Sequence, residues 1–320
     1  VDRPGAVAGL RATLTGFAAT RLAEAQSWCV ALSGGPDSLA LTAAAATALP
    51  TTALIVDHGL QPGSGSVAAT ARDQALDLGC VRAEILCVQV GSAGGPEAAA
   101  RAARYAALDA ARHGAPVLLG HTLDDQAETV LLGLGRGSGA RSIAGMRSAD
   151  PPWFRPLLGV RRGVTHAACA ELGLTVWDDP HNSDPRFTRV RLRTEVLPLL
   201  EQVLGGGVAE ALARTATALR EDNDALDYLA AQNLSGARSG DGLDVETVKH
   251  LPAALRRRVI RAWLIVGGAS GLTDTQIRAV DALVSLWRGQ GGVAVSSDVP
   301  RTRLVAERYG GTLTLLRKPV

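Results

Sequence analysis

The segment Val30-Ala31-Leu32-Ser33-Gly34-Gly35-Pro36-Asp37-Ser38 carries an apolar run through two glycines into a helical start, an arrangement suited to binding phosphate. Glycines let backbone amides crowd an anion, and the following helix adds unpaired N–H groups and the positive end of its dipole. Pro36 suits the first helical position, where its missing N–H costs nothing. Asp37 would repel phosphate oxygens unless a divalent cation lay between them, so the segment reads as a site for a nucleotide with Mg2+ held at Asp37. A Walker-type loop is excluded, because it needs a lysine after its last glycine and the only lysines are Lys249 and Lys318.

Two further clusters follow predicted strands. Val56-Asp57-His58-Gly59 places an acid and an imidazole at a strand end, which a simple polar turn also explains. His121-Thr122-Leu123-Asp124-Asp125-Gln126-Ala127-Glu128-Thr129 is sharper. Thr122 and Asp125 have capping-box spacing, and acids suit a helix start, but that accounts for only part of the set. Asp124, Asp125 and Glu128 fall on neighbouring parts of one helical face, while Ala127, Val130, Leu131 and Leu134 form the stripe expected in the core. Crowded carboxylates raise one another's proton affinity unless a cation joins them, so a metal ion or a substrate ammonium group is expected there. Arg101 and Arg104 lie three apart on a helix opening near Glu97, and Arg189, Arg191 and Arg193 alternate further on. Arg256, Arg257, Arg258 and Arg261 mark a later helix. Each group reads either as a solvated helix face or as a contact for a polyanion.

Short apolar runs at 28 to 32, 52 to 57, 82 to 90 and 116 to 120 alternate with Ala-rich helical stretches at 36 to 48, 65 to 79, 97 to 113 and 123 to 133. This alternation predicts an α/β fold, a parallel sheet with helices on both faces. Ligands of such sheets bind at the carboxyl ends of the strands, so one crevice collects the three motifs. A long helix is expected over 208 to 235, then helices at 253 to 266 and 273 to 288 and strand-like pieces at 292 to 296, 303 to 306 and 312 to 316. The expected organisation is a catalytic domain over 1 to 205, a linking helix over 206 to 240 and a smaller, mainly helical C-terminal domain over 241 to 320.

At 320 residues, with 47% hydrophobic and 20% charged residues, the chain has the composition of a globular protein with a sizeable core. The net charge of +2 divides into −2 over the first 180 residues and +4 over the rest, a mild asymmetry compatible with a polyanionic partner for the second part. Cys29, Cys80, Cys87 and Cys169 form no C-x-x-C pair, and Cys29 and Cys87 sit in apolar runs expected to bury them as reduced thiols. No apolar run reaches the length of a membrane span, and a soluble cytoplasmic protein is expected.

Ser33-Gly34-Gly35-Pro36-Asp37-Ser38 after a strand resembles the PP-loop of ATP pyrophosphatases, with their Rossmann-like sheet. The 121 to 129 segment, Leu131-Leu132-Gly133-Leu134-Gly135-Arg136-Gly137-Ser138-Gly139, Ile143-Ala144-Gly145-Met146, Arg155-Pro156-Leu157-Leu158 and Asp178-Asp179-Pro180-His181-Asn182-Ser183-Asp184 together resemble the tRNA(Ile)-lysidine synthetase branch of that superfamily. The chain departs from the family pattern at Val190, where asparagine is usual, and at Gln61, where arginine is usual.

The resemblance implies ATP-dependent joining of free L-lysine to C2 of the wobble cytidine of an isoleucine tRNA with a CAU anticodon, through an adenylated cytidine. It implies that Ser33, Gly34, Gly35, Pro36, Asp37 and Ser38 hold ATP with Mg2+ at Asp37, that Asp57 and His58 border the nucleoside, and that Arg101 lies near the α-phosphate. Asp124, Asp125 and Glu128 have the right sign for the lysine ammonium, and Arg104, Arg189, Arg191 and Arg193 suit tRNA phosphates. The amine must lose a proton before attack, to His121 or to a carboxylate. The resemblance is also compatible with a homodimer. The rival readings are a tRNA thiolase, which needs a cysteine pair or a cluster ligand set, a carboxylate-adenylating amide synthetase, and a nucleotide-sensing tRNA-binding protein without turnover.

Overall fold

The computed structural model describes residues 5–59, 63–91, 95–137, 139–297, 299 and 301–319. Gln61 and Ser138 lie outside the described residues, as do the side chains of Glu97 and His181. The chain divides into two compact units, Val1–Ala216 and Thr217–Val320.

The first unit opens with α1 (Ala6–Arg21), a helix that the sequence alternation does not announce, and continues as β1 (Trp28–Ala31), α2 (Pro36–Ala46), β2 (Thr51–Asp57), α3 (Ser64–Asp77), β3 (Arg82–Cys87), α4 (Pro96–Ala111), β4 (Val117–Leu119) and α5 (Leu123–Gly135). Then come α6 (Ala140–Ile143), a short hairpin of β5 (Ala149–Asp150) and β6 (Trp153–Phe154), α7 (Arg162–Glu171), α8 (Thr188–Arg191), a π-helical turn at Leu192–Val196, and α9 (Leu197–Val203). The six strands are ordered β3-β2-β1-β4-β6-β5, all parallel except the edge strand β5. The expected parallel sheet is therefore present, with an antiparallel edge that the irregular pattern after residue 150 concealed.

Strand β1 is buried on both faces because its side chains alternate between two cores. Trp28 and Val30, with Leu32 beyond it, pack with Leu10 and Leu14 of α1, Leu39 and Leu41 of α2 and Ala168 of α7. Cys29 and Ala31 turn to the opposite side, with Leu108 and Tyr105 of α4. The Trp28 indole N–H donates to Thr51 Oγ1 at 2.8 Å, so the large ring is buried without an orphaned donor. From β1 the chain winds outward through β2 and β3, then returns to place β4 on the other side of β1. That reversal leaves a crevice at the carboxyl ends of β1 and β4, where doubly wound sheets bind ligands.

Two expectations about packing are corrected. Leu134, placed in the core stripe of α5, is 57% exposed, since α5 ends one residue later and its last turn leaves the core. Cys87, read as buried, is exposed at the end of β3, an edge strand in the sheet order. Cys29, Cys80 and Cys169 are buried, and burial pushes each thiol up to about 11, so they are unreactive at neutral pH.

Helix α10 (Val208–Ala237) runs through the division between the units. The second unit continues with β7 (Arg238–Ser239), β8 (Gly242–Asp244), α11 (Val245–Lys249), α12 (Ala253–Val266), α13 (Asp274–Ser285), β9 (Val293–Ser296), β10 (Thr302–Tyr309) and β11 (Thr312–Pro319). Its strands form an antiparallel sheet ordered β7-β8-β11-β10-β9, larger than the three strand-like pieces foreseen, so the unit joins helices to a sheet rather than being mainly helical. Ile260, Trp263 and Leu264 of α12 pack with Val280 and Leu283 of α13 against Leu304, Ala306 and Leu313 of the sheet. The arginines of α12, read as a possible polyanion contact, are largely structural. Arg256 and Arg257 pair with the buried Asp281 at 2.6 and 3.2 Å, and Arg258 bonds Asp227 and Asn223.

Candidate active site

The turn after β1 is built as its composition demands. Gly34 has φ +83, a left-handed conformation that an L side chain resists, and its carbonyl accepts from Trp177 N at 3.0 Å. Gly35 is the N-cap of α2 and Pro36 its first residue. Ser38 Oγ donates to Gly35 O at 2.9 Å and lies 3.1 Å from Ser33 Oγ, so two hydroxyls meet at the start of the helix. Gly120, at the end of β4, sits against this turn. A Cβ there would lie 3.1 Å from the backbone of Asp37 and Ser38, so the close approach of β4 to α2 leaves a side chain tightly confined.

In the strand order, the turns after β2 and β4 flank the turn after β1. His58 follows β2 and His121 follows β4, and the Nδ1 atom of each is buried without a partner. Burial lowers the basicity of both. His58 is further lowered by Arg104, and His121 falls to about 4, so both rings are neutral at pH 7. Two orphaned nitrogens beside a phosphate-type turn fit a polar ligand that bonds to them. Asp57 is already engaged: its carboxylate accepts from Gly59 N at 2.9 Å, which holds it below the usual range. Arg101 lies 4.8 Å over the Tyr105 ring on the exposed side of α4.

The acids of α5 converge on the same crevice, and arginines accompany them. Asp125 Oδ2 accepts from Thr122 N and Thr122 Oγ1, each at 2.8 Å, which fixes the start of the helix. Its other oxygen meets Arg162 Nη2 at 2.6 Å. Burial would raise this carboxyl, but Arg162 and the Thr122 bonds outweigh it and the group stays ionised. Glu128 is fully buried and takes Arg193 in a fork, with Nε at 2.8 Å from Oε1 and Nη2 at 3.3 Å from Oε2. Arg162 Nη1 lies 3.5 Å from Glu128, and Arg189 lies 3.9 Å from it. Asp124 faces α7 instead, accepting from Arg162 N at 2.7 Å and pairing with Arg161 at 3.3 Å. Arg161 also holds Glu201 and Glu210. Arg191, from the same run as Arg189 and Arg193, turns away into an exposed pair with Glu195.

Arg162 joins the two halves of the crevice. Its Nε lies 3.3 Å from Asp37 Oδ2, and the other oxygen of Asp37 accepts from the Thr165 hydroxyl. Burial raises the Asp37 carboxyl, and Thr165 and Arg162 partly offset it. Sequence reasoning passed over Arg161, Arg162 and Thr165. One signal was available: adjacent arginines at a helix start oppose the helix dipole, and such a local conflict points to a tertiary demand. The counter-ions expected as a metal or substrate amine are thus supplied by the protein's own guanidiniums. Asp37, Asp124, Asp125, Glu128, Glu201 and Glu210 pair with Arg161, Arg162, Arg189 and Arg193 in one network.

A PP-loop domain family matches residues 10–200, and a TilS substrate binding domain matches residues 243–314. The tRNA(Ile)-lysidine synthase of Mycobacterium bovis is 70% identical over the whole of both chains. The chain belongs to the tRNA(Ile)-lysidine synthase family. Its relative of that name in Mycobacterium leprae is 66% identical, again across both full lengths. Among solved structures, the U34-tRNA thiolase NcsA of Methanococcus maripaludis, with its [4Fe-4S] cluster, aligns at TM-score 0.50 and 18% identity, covering 62% of this chain and 74% of that one. This likeness shows the shared fold alone. Among the described residues no group of three or more His, Cys, Asp and Glu could hold a metal ion.

Proposed function

We propose that this chain joins free L-lysine to C2 of the wobble cytidine of an isoleucine tRNA with a CAU anticodon, consuming ATP and releasing AMP and pyrophosphate. The observation that carries the reading is one crevice with two chemistries: a phosphate-type turn after β1 and, tied to it through Arg162, the acid set of α5. In the first step the cytosine O2 attacks the α-phosphorus and pyrophosphate departs. In the second the lysine ε-amine attacks C2 and the former O2 leaves with AMP.

Ser33, Gly34, Gly35 and Ser38, with the first amides of α2, hold the leaving pyrophosphate. Asp37 fits a Mg2+ ion that arrives with ATP, since such an ion takes one or two protein carboxylates and fills its shell with phosphate oxygens and water. That ion supplies charge neutralisation at the phosphates. Arg101 and Arg104 of α4, with His58, border the nucleotide. Asp125 and Glu128 receive the lysine ammonium, and Asp124 is a positioning residue that anchors the start of α7. His121, kept neutral by burial, offers Nδ1 as a hydrogen-bond acceptor for the amine. Arg189 and Arg193 pair with Glu128, and the second unit contacts the tRNA. Among the described residues no single helix is long and apolar enough to cross a membrane, and we place the reaction in the cytoplasm with the tRNA pool.

The division of roles is tested by two variants. Asp37→Ala should abolish pyrophosphate release, whereas Glu128→Ala should retain ATP binding and lose use of lysine. Equal loss of ATP affinity in both would contradict it.

A further inference from the structure

Glu128 is fully buried and Asp125 partly so, with 15% of its side chain exposed, and both already hold guanidiniums, so a lysine ammonium pairs with them in full only when a resident cation moves. The two candidates are held very differently. Arg193 grips Glu128 with two nitrogens on two oxygens, the strong fork geometry. Arg162 spreads three nitrogens over three carboxylates, one each: Nε to Asp37 at 3.3 Å, Nη1 to Glu128 at 3.5 Å and Nη2 to Asp125 at 2.6 Å. Only the last is short, so no single partner holds the group in a fork. The backbone of Arg162 is fixed separately, through its N–H to Asp124 at 2.7 Å, so its side chain can swing without releasing α7.

We propose that Arg162 is the resident stand-in for the substrate ammonium, occupying the lysine subsite until the phosphates of ATP draw its guanidinium away. This rests on the reading of Asp125 and Glu128 as that subsite. Asp37 lies in the first turn of α2, directly after the phosphate-type turn, so a guanidinium already touching Asp37 is next to the place where phosphates arrive. Phosphate oxygens offer it a bidentate partner that none of the three carboxylates provides. Its departure leaves Asp125 and Glu128 short of one positive charge, and the lysine ammonium restores it. Binding is then ordered, with ATP before lysine, and the two substrates tighten one another reciprocally.

The test is calorimetric titration of the full chain with L-lysine, with and without the non-hydrolysable α,β-methylene analogue of ATP. For the wild-type chain the analogue should tighten lysine by about tenfold or more. For Arg162→Gln, lysine should bind the ATP-free protein about tenfold more tightly than it binds the ATP-free wild type, and the analogue should no longer matter. A merely structural Arg162 would give the opposite, weaker lysine binding with the analogue dependence intact, and that result overturns the proposal. Arg162→Lys, which keeps a cation, guards against a folding defect in the first variant. It should retain a reduced analogue dependence, and a folded Arg162→Lys protein whose lysine affinity ignores the analogue just as Arg162→Gln does would also overturn it. Glu128→Ala distinguishes the two readings: undiminished lysine binding with the analogue present would remove the lysine subsite itself, whatever Arg162 does.

Discussion

Glu128 has no exposed surface and takes a fork from Arg193, with Arg162 and Arg189 nearby, so removing its carboxylate leaves the partly buried Arg193 without its fork partner. Breaking a buried pair by deleting one partner costs about 3–5 kcal/mol, and Glu128→Ala should lower the unfolding free energy by that order in urea titrations. Its lysine defect must therefore be measured on the folded fraction. His121 makes a pH prediction of definite sign. Its folded pKa of about 4 lies below its ordinary 6.5, so between those values the unfolded chain binds more protons and stability falls as pH falls. The loss approaches about 3 kcal/mol at the acid end, and His121→Asn should remove most of it when unfolding at pH 5 is compared with pH 7. Asp37, His58, His121, Asp124, Asp125 and Glu128 could be singled out in the sequence because each follows a predicted strand, in the turn or in the first turns of the next helix, whereas Glu201 and Glu210 carry no such mark. Arg162 and Thr165 were not legible there, because their partnerships join residues more than thirty positions apart and depend on how α7 packs beside α2.

At the scale of elements, the alternation of apolar runs and Ala-rich stretches located four strands and four helices to within a few residues, since the strands of a doubly covered sheet are largely apolar. The strands β5, β6, β7 and β8 escaped because two or three residues carry no period. The joint between β4 and α2 carries its own prediction. A methyl group at position 120 meets backbone atoms of Asp37 and Ser38, which cannot rotate away as a side chain would. Gly120→Ala should destabilise the chain by about 1–3 kcal/mol and weaken ATP binding with it, because the displaced atoms belong to the phosphate turn. Thermal unfolding and ATP titration of the same preparation measure both effects.

For the whole molecule, ATP chemistry belongs to the first unit and the proposed tRNA contact to the second. Asp281 ties α12 to α13 through Arg256 and Arg257, and Asp281→Ala should cost the second unit about 3–5 kcal/mol. The expected outcome is reduced tRNA affinity in filter binding with ATP affinity unchanged; a matching loss of ATP affinity would show that the units do not divide the work. The central claim is tested most directly by ATP-dependent transfer of radiolabelled L-lysine to an isoleucine tRNA transcript with a CAU anticodon, beside a methionine tRNA with the same anticodon. Label in the isoleucine tRNA alone is the predicted result. No label in either, with pyrophosphate still released from ATP, would contradict the assignment of lysine and cytidine as the reacting pair.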